Sequence, residues 1–299
     1  MNEQYIAQFG TDGFGHQIFG IASCMALHGE IIDDTKIYFD PHWSITKRPY
    51  SFEHITDENK LCEEYMKTAF NNFAVRNNFN LKTYESVYPP PSEFHILGSK
   101  FPGKRNAPSG HGLLGKHNNN QILYLYDNVW RSATPYIEKY RKKMILDWME
   151  NNDKLPKNRF TNKKTNIAIH MRLGDASKRK YNRYLKSNLE KVIDRCIELY
   201  DSPNIVIHTN GKVVIDDLHK ANRLNVFSLR RDQLNYVEVC NEDTNVLNVL
   251  SDLIHADIMI KGDSALSGFA TWIRIGKQNI ASEKSTFLSD MLSLKEFIS

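Results

Sequence analysis

Within Ile167-Ala-Ile-His-Met-Arg-Leu-Gly-Asp175, three side chains capable of chemistry fall close together: His170, Arg172 and Asp175. Arg172 carries a planar guanidinium fork that can donate two charge-assisted hydrogen bonds to phosphate oxygens. Facing a departing diphosphate, such a fixed cation stabilises the charge that grows in the transition state. His170 can donate to a ligand or orient Arg172. Gly174 permits a tight turn. The plainer roles are an Arg172–Asp175 pair that fixes the turn, and a satisfied histidine at a strand end. Asp175 suits fixing the loop and the arginine better than acting as a base.

Two further stretches hold reactive groups. In Asp12-Gly-Phe-Gly-His-Gln-Ile-Phe19, Gly13 and Gly15 let backbone N–H groups approach a ligand, and His16 can take a proton near neutral pH. His16 is a candidate general base, with Asp12 its rival or its polarising partner; simple hydrogen bonding by His16 is the alternative. In Ala256–Ala270, the Asp257 carboxylate can accept hydrogen bonds from a purine edge. The Ser264 and Ser267 hydroxyls, with the N–H groups of a helix opening near Ala265, can hold phosphate oxygens. Ser264 or Asp263 could instead cap that helix. His208-Thr-Asn-Gly211 ends a strand in a polar turn, which makes His208 a candidate donor contact. The basic run Ser177–Lys180, with Arg183, either attracts phosphates or is a solvated loop.

The first stretch resembles the H-x-R-x-G-D motif of the GT-B fucosyltransferase superfamily, which includes the α1,2-, α1,6- and protein O-fucosyltransferases. Residues 12–19 are similar to that family's amino-terminal G-x-G-N-Q-x-F loop, with His16 in place of the usual Asn. Residues 256–270 resemble its carboxyl-terminal strand, Ser-rich turn and helix. The three motifs stand in family order. The resemblance implies a GT-B-like α/β fold, two Rossmann-like domains facing across a cleft. Residues 1–155 would be largely acceptor-side and residues 160–299 would bind the nucleotide sugar. It implies inverting, metal-independent transfer of fucose from GDP-fucose to a glycan hydroxyl, with Arg172 on the leaving diphosphate. It also implies donor contacts from Gly13, Gly15, His170, Asp175, Asp257, Ser264, Ala265 and Ser267, to which the strand-end position of His208 adds a further candidate. Three readings remain beside it. The first is the same fold with another nucleotide sugar, a UDP- or GDP-linked pentose or deoxyhexose such as xylose. The others are a non-catalytic glycan- or nucleotide-binding relative, and an unrelated NAD(P)-binding oxidoreductase.

The elements that must position these groups are legible as patterns. The 299 residues have room for one large domain or two ordinary ones. A net charge of +4, from 39 basic against 35 acidic residues, is too balanced for general nucleic-acid binding. Cys24, Cys62, Cys196 and Cys240 are far apart, without disulfide or zinc-ligand spacing. There is no D-x-D triplet for a metal-bound diphosphate and no G-x-x-x-x-G-K-[ST] loop. Golgi members of the resembling family are anchored by a membrane span, so the polar start and the lack of a long apolar run lead us to expect a cytoplasmic enzyme of bacterial or viral type, or a trimmed piece of a longer chain.

Ile167 and Ile169 alternating with Ala168 read as a buried strand, and open α/β sheets place ligands at the carboxyl ends of such strands. Tyr5–Phe9, Lys36–Phe39 and Ile122–Tyr126 read as strands. Apolar spacing predicts helices after Gly15 and over 132–150, and residues 71–120 look irregular. Residues 151–164 read as a linker. The second half alternates strand and helix: a helix from Leu189, a strand over 204–208, a helix over 213–222 and a strand over 224–227. A helix from Val246 and a strand over 257–260 complete it. That alternation predicts a parallel sheet covered by helices, with the last helix a candidate to cross back to the first half.

Overall fold

The structure is a computed structural model that describes residues 155–160, 164–173, 178, 180–223, 225–240, 246–274, 276–282 and 291–299, together with Gly15 and five amino-terminal strands. The chain divides into two compact units, Met1–Lys154 and Leu155–Ser299.

In the first unit, β1 (Gln4–Phe9), β2 (Thr35–Phe39), β3 (Lys82–Thr83), β4 (His95–Leu97) and β5 (Ile122–Tyr126) form one parallel sheet in the order β3-β2-β1-β5-β4. Strands β3 and β4 fall in the stretch expected to be irregular. They are too short to leave a periodic signature. The helices expected after Gly15 and over 132–150 lie outside the described residues, although Gly15 itself is helical.

The second unit is built on β6 (Asn166–Met171), β7 (Asn204–Thr209), β10 (Val237–Cys240), β11 (Ile258–Lys261), β12 (Gln278–Ala281) and β13 (Met291–Ser293). Their order is β10-β7-β6-β11-β12-β13, and every pairing is parallel. From the first strand, β6, the chain winds outward through β7 to β10. It then returns to the other side of β6 and winds out through β11 to β13. This is the doubly wound order of a dinucleotide-binding sheet, and its switch point lies between β6 and β11.

Among the described residues, six α-helices flank these strands: α1 (Lys180–Ser187), α2 (Leu189–Leu199), α3 (Leu218–Ala221), α4 (Val246–His255), α5 (Ala265–Ile273) and α6 (Leu294–Ile298). Ile167, Ile169, Ile207 and Ile260 face one way and pack with Leu189 and Val192 of α2 in a single core. Asn166, Ala168 and His170 point to the opposite face, because strand side chains alternate. Burying both faces explains why β6 is closed to solvent along its whole length.

Three expectations need correction. Residues 213–222 are not one helix: β8 (Lys212–Ile215) pairs with β9 (Val226–Leu229), and only α3 is helical. The run Val213-Val214-Ile215 is β-branched and favours extended backbone. Asp216, at φ 51°, then breaks the chain, and Asp217 caps α3 by accepting from Lys220 N at 3.0 Å. Nor does the last helix cross back. Leu294 and Phe297 of α6 join the core of the second unit. Finally, residues 155–160 are not free linker. Leu155 is buried, Ser251 Oγ donates to Pro156 O at 2.6 Å, and Arg159 N donates to Asp252 Oδ1 at 2.9 Å.

Candidate functional site

Pairing across the sheet sets one row of residues in register, Cys240–His208–His170–Lys261–Ala281. Partners in register share a face, so His208, His170 and Lys261 stand side by side at the carboxyl edge, with His170 and Lys261 on either side of the switch point. Arg172 follows β6 by one residue and is half-buried.

This crowding of basic groups has electrostatic consequences. His170 is pushed down to about 3, first by burial and then by the charges of His208, Arg172 and Lys261. It is therefore a neutral imidazole at physiological pH, and its Nδ1 is buried with no partner. Burial also pushes Lys261 down to about 8, against the pull of Asp263. Its Nζ donates only a long bond, 3.4 Å, to Gly262 O among the described residues. Behind His170, His208 Nε2 lies 3.1 Å from Asp252 Oδ2 of α4, a close contact out of hydrogen-bond alignment. Both side chains are almost fully buried.

The loops at this edge are pinned by side chains. Leu173 N donates to Asn210 Oδ1 at 2.6 Å, which ties the segment after Arg172 to the turn after β7. A Cβ on Gly211 would lie 2.6 Å from Leu173 Cδ1, so that turn needs glycine for close approach. Gly262 N donates to His170 O at 3.1 Å, and Asp263 N donates to Asn182 Oδ1 of α1 at 2.8 Å. A Cβ on Gly262 would stand 2.1 Å from that same Oδ1. The segment therefore runs from Lys261 through a closely packed glycine to Ser264 at the start of α5. Ser264 is extended and its side chain makes no capping bond, which corrects the reading of it as a side-chain cap. The amides opening α5 at Ala265 form a helix N-terminus at the ligand edge of the sheet.

Three candidates are placed elsewhere than expected. Asp257 precedes β11 at the opposite edge, about 13 Å of strand from Lys261, where its Oδ2 accepts from Asn166 N at 2.9 Å. An Asp at a strand start points to the wrong end of a parallel sheet for ligand contact. Ser267 is fully buried and donates to Ser264 O at 3.3 Å, while its own carbonyl accepts from Thr271 Oγ1 at 2.7 Å. It serves the helix rather than a phosphate. His208 lies behind His170 and has no ligand-facing surface. Lys178, Lys180 and Arg183 of the basic run are exposed, as in a solvated segment. Asp12, Gly13, His16 and Asp175 lie outside the described residues, and Gly15 is half-buried.

The structure brings in residues to which the sequence assigned no role: Lys261 and Gly262, inside the third motif, and Asp252 and Asn182, outside all three. Two had a signal in the sequence. Lys261 ends an apolar strand where His170 ends its neighbour, and Asp252 interrupts the apolar stripe Leu247, Leu250, Leu253 and Ile254. Among the described residues, no group of three or more His, Cys, Asp or Glu side chains could hold a metal ion, and no helix is long and apolar enough to cross a membrane.

No protein-family model matches the sequence, and no curated protein matches it significantly. Solved structures similar in fold include E. coli ADP-heptose lps heptosyltransferase II, at 10% identity and TM-score 0.40, covering 98% of this chain and 90% of that one. POFUT1 in complex with GDP is similar at 11% identity and TM-score 0.38, covering 98% of each chain. A mutant of Arabidopsis thaliana FUT1 in complex with GDP is similar at 12% identity and TM-score 0.42, covering 92% of this chain and 69% of that one.

Proposed function

We propose that the chain is an inverting, metal-independent glycosyltransferase of the GT-B type, which moves a sugar from a nucleotide sugar to a glycan hydroxyl. GDP-fucose is the proposed donor. The observation that carries this reading is the basic group at the switch point of the second sheet, where Arg172, Lys261 and neutral His170 adjoin the N-terminus of α5. Such an edge suits a diphosphate, because fixed cations and helix amides stabilise charge on a leaving phosphate without reorganising. The order of the three sequence motifs supports fucosyl transfer in particular. In this mechanism Arg172 takes the leaving-group charge, and the acceptor hydroxyl attacks in line from the opposite face of the sugar. His16, Asp12 or another acidic residue removes the proton.

The test is turnover of GDP-fucose, followed as GDP release with and without EDTA. Release that survives EDTA and falls about 10²–10³-fold in Arg172→Ala supports the reading. Turnover of a UDP- or GDP-linked pentose instead keeps the mechanism and replaces the donor. Tight binding without turnover makes the chain a non-catalytic relative, and binding of NAD(P) alone overturns the proposal. Full activity in His16→Ala excludes His16 as the base and leaves that role to Asp12 or another acidic residue.

A further inference from the structure

The residue at this edge that the motifs do not explain is Lys261. It ends β11 in register with His170, across the switch point from Arg172. The residue is half-buried, and among the described residues its ammonium makes one long hydrogen bond and has no carboxylate in ion-pair range. The groups around it do not compensate its charge. Arg172 just after β6 is cationic, His170 on β6 is neutral, His208 lies on β7, Ala281 and Ser282 on the β12 side are uncharged, and the carboxylate of Asp263 acts only through space. Asp252, behind His208, is the carboxylate of α4 on this face. A desolvated cation with no paired carboxylate among the described residues is costly unless an anion arrives. Gly262 and Asn182 fix the backbone that presents it, three residues before the N-cap Ser264.

We infer that Lys261 is a second cationic ligand for the diphosphate of the nucleotide, gripping it from the β11 side while Arg172 grips it from the β6 side. This rests on the nucleotide-sugar reading above. Because burial holds the free amine near 8, a bound dianion draws a proton onto it. Binding is then coupled to proton uptake by the amine, about half a proton at pH 8, more above it, and none at pH 6, where the amine is already charged.

The test is isothermal titration of the full chain with GDP, and with inorganic pyrophosphate, at pH 6 and pH 8 in buffers of different ionisation enthalpy. The wild type should take up about half a proton more than Lys261→Arg at pH 8 and no more than it at pH 6, a difference in which the phosphates' own protons cancel. Lys261→Arg should bind without that uptake, and Lys261→Ala should bind both ligands about 10- to 100-fold more weakly. Guanosine, which has no phosphate, should not distinguish the variants. Wild-type binding of GDP with no proton uptake at pH 8 overturns the role of Lys261 and leaves the nucleotide reading intact, without depending on any variant folding. Binding of neither GDP nor pyrophosphate to the wild type sinks both.

Discussion

Arg274→Met tests whether one buried guanidinium locks the amino edge of the second sheet. Arg274 is 2% exposed. Its NH1 donates to the carbonyls of Leu253, Ile254 and Ala256 at 2.7, 3.1 and 2.6 Å. NH2 donates to Asp257 O and Gln278 O, both at 3.2 Å, and Nε to Asn279 Oδ1 at 2.9 Å. One side chain thus closes the carboxyl end of α4 and joins it to the starts of β11 and β12. Burial pushes the guanidinium down to about 10, which leaves it charged at neutral pH. Methionine would preserve the apolar stem and orphan the carbonyls. Lys277 Nζ still reaches Ile254 O and Ala256 O at 3.2 and 3.3 Å, so the loss is smaller than six bonds suggest. Removing one side of a buried charged cluster costs about 3–5 kcal/mol, and Lys277 moves our estimate to about 3. In hydrogen exchange read by mass spectrometry, amides of peptides spanning 253–261 and 278–281 should exchange about 100-fold faster. Arg274→Lys keeps the charge without the fork and should fall between. Exchange within threefold of wild type in Arg274→Met would refute the reasoning, because the carbonyls would then have found other partners at no cost.

Three more outcomes follow from the site. Gly262→Ala drives a methyl onto Asn182 Oδ1 and should cost about 1–3 kcal/mol in thermal melts; Gly262→Ala with Asn182→Ala should recover part of the loss, and no recovery would contradict the close packing. Asp252→Asn leaves an amide facing His208 Nε2 and Arg159 N and should cost about 2–4 kcal/mol, whereas an unchanged urea midpoint would mean that this carboxylate stabilises nothing. The depressed pKa of His170 also carries a sign: below about 6.5 the unfolded chain binds a proton that the folded chain refuses until about 3. Stability should therefore fall as pH drops through that window. His170→Gln should flatten this slope, and an equal slope in both proteins would show that His170 titrates normally.

The sheet of the second unit was legible because strands buried on both faces read as apolar runs, and β6, β7 and β11 all do. Strands β10, β12 and β13 were missed for want of contrast. They are three or four residues long, and they lie near the sheet's edges, where polar residues such as Glu238 and Gln278 break the run. The chemistry of the first motif was legible because Arg172 and His170 sit together in sequence. The other half of the site was not. Lys261 meets His170 through pairing of strands ninety-one residues apart, and nothing local in the sequence marks that register. Ser267 misled for the opposite reason. Its spacing from Ser264 fits a phosphate turn, but one helical turn onward the side chain points into the core. Sequence spacing shows which groups are close along the chain; burial decides which of them can meet a ligand.

The most direct test of the account is the thermal stability of wild type and Arg172→Ala with GDP, UDP, ADP, CMP and NAD. A ligand that binds only the folded state raises stability by about 2.7 kcal/mol at a hundred times its dissociation constant. The account predicts a shift with GDP in the wild type, none with NAD, and loss of the GDP shift in Arg172→Ala. A wild type that none of the nucleoside diphosphates stabilises, or a GDP shift undiminished in Arg172→Ala, would contradict the placement of a diphosphate at this edge.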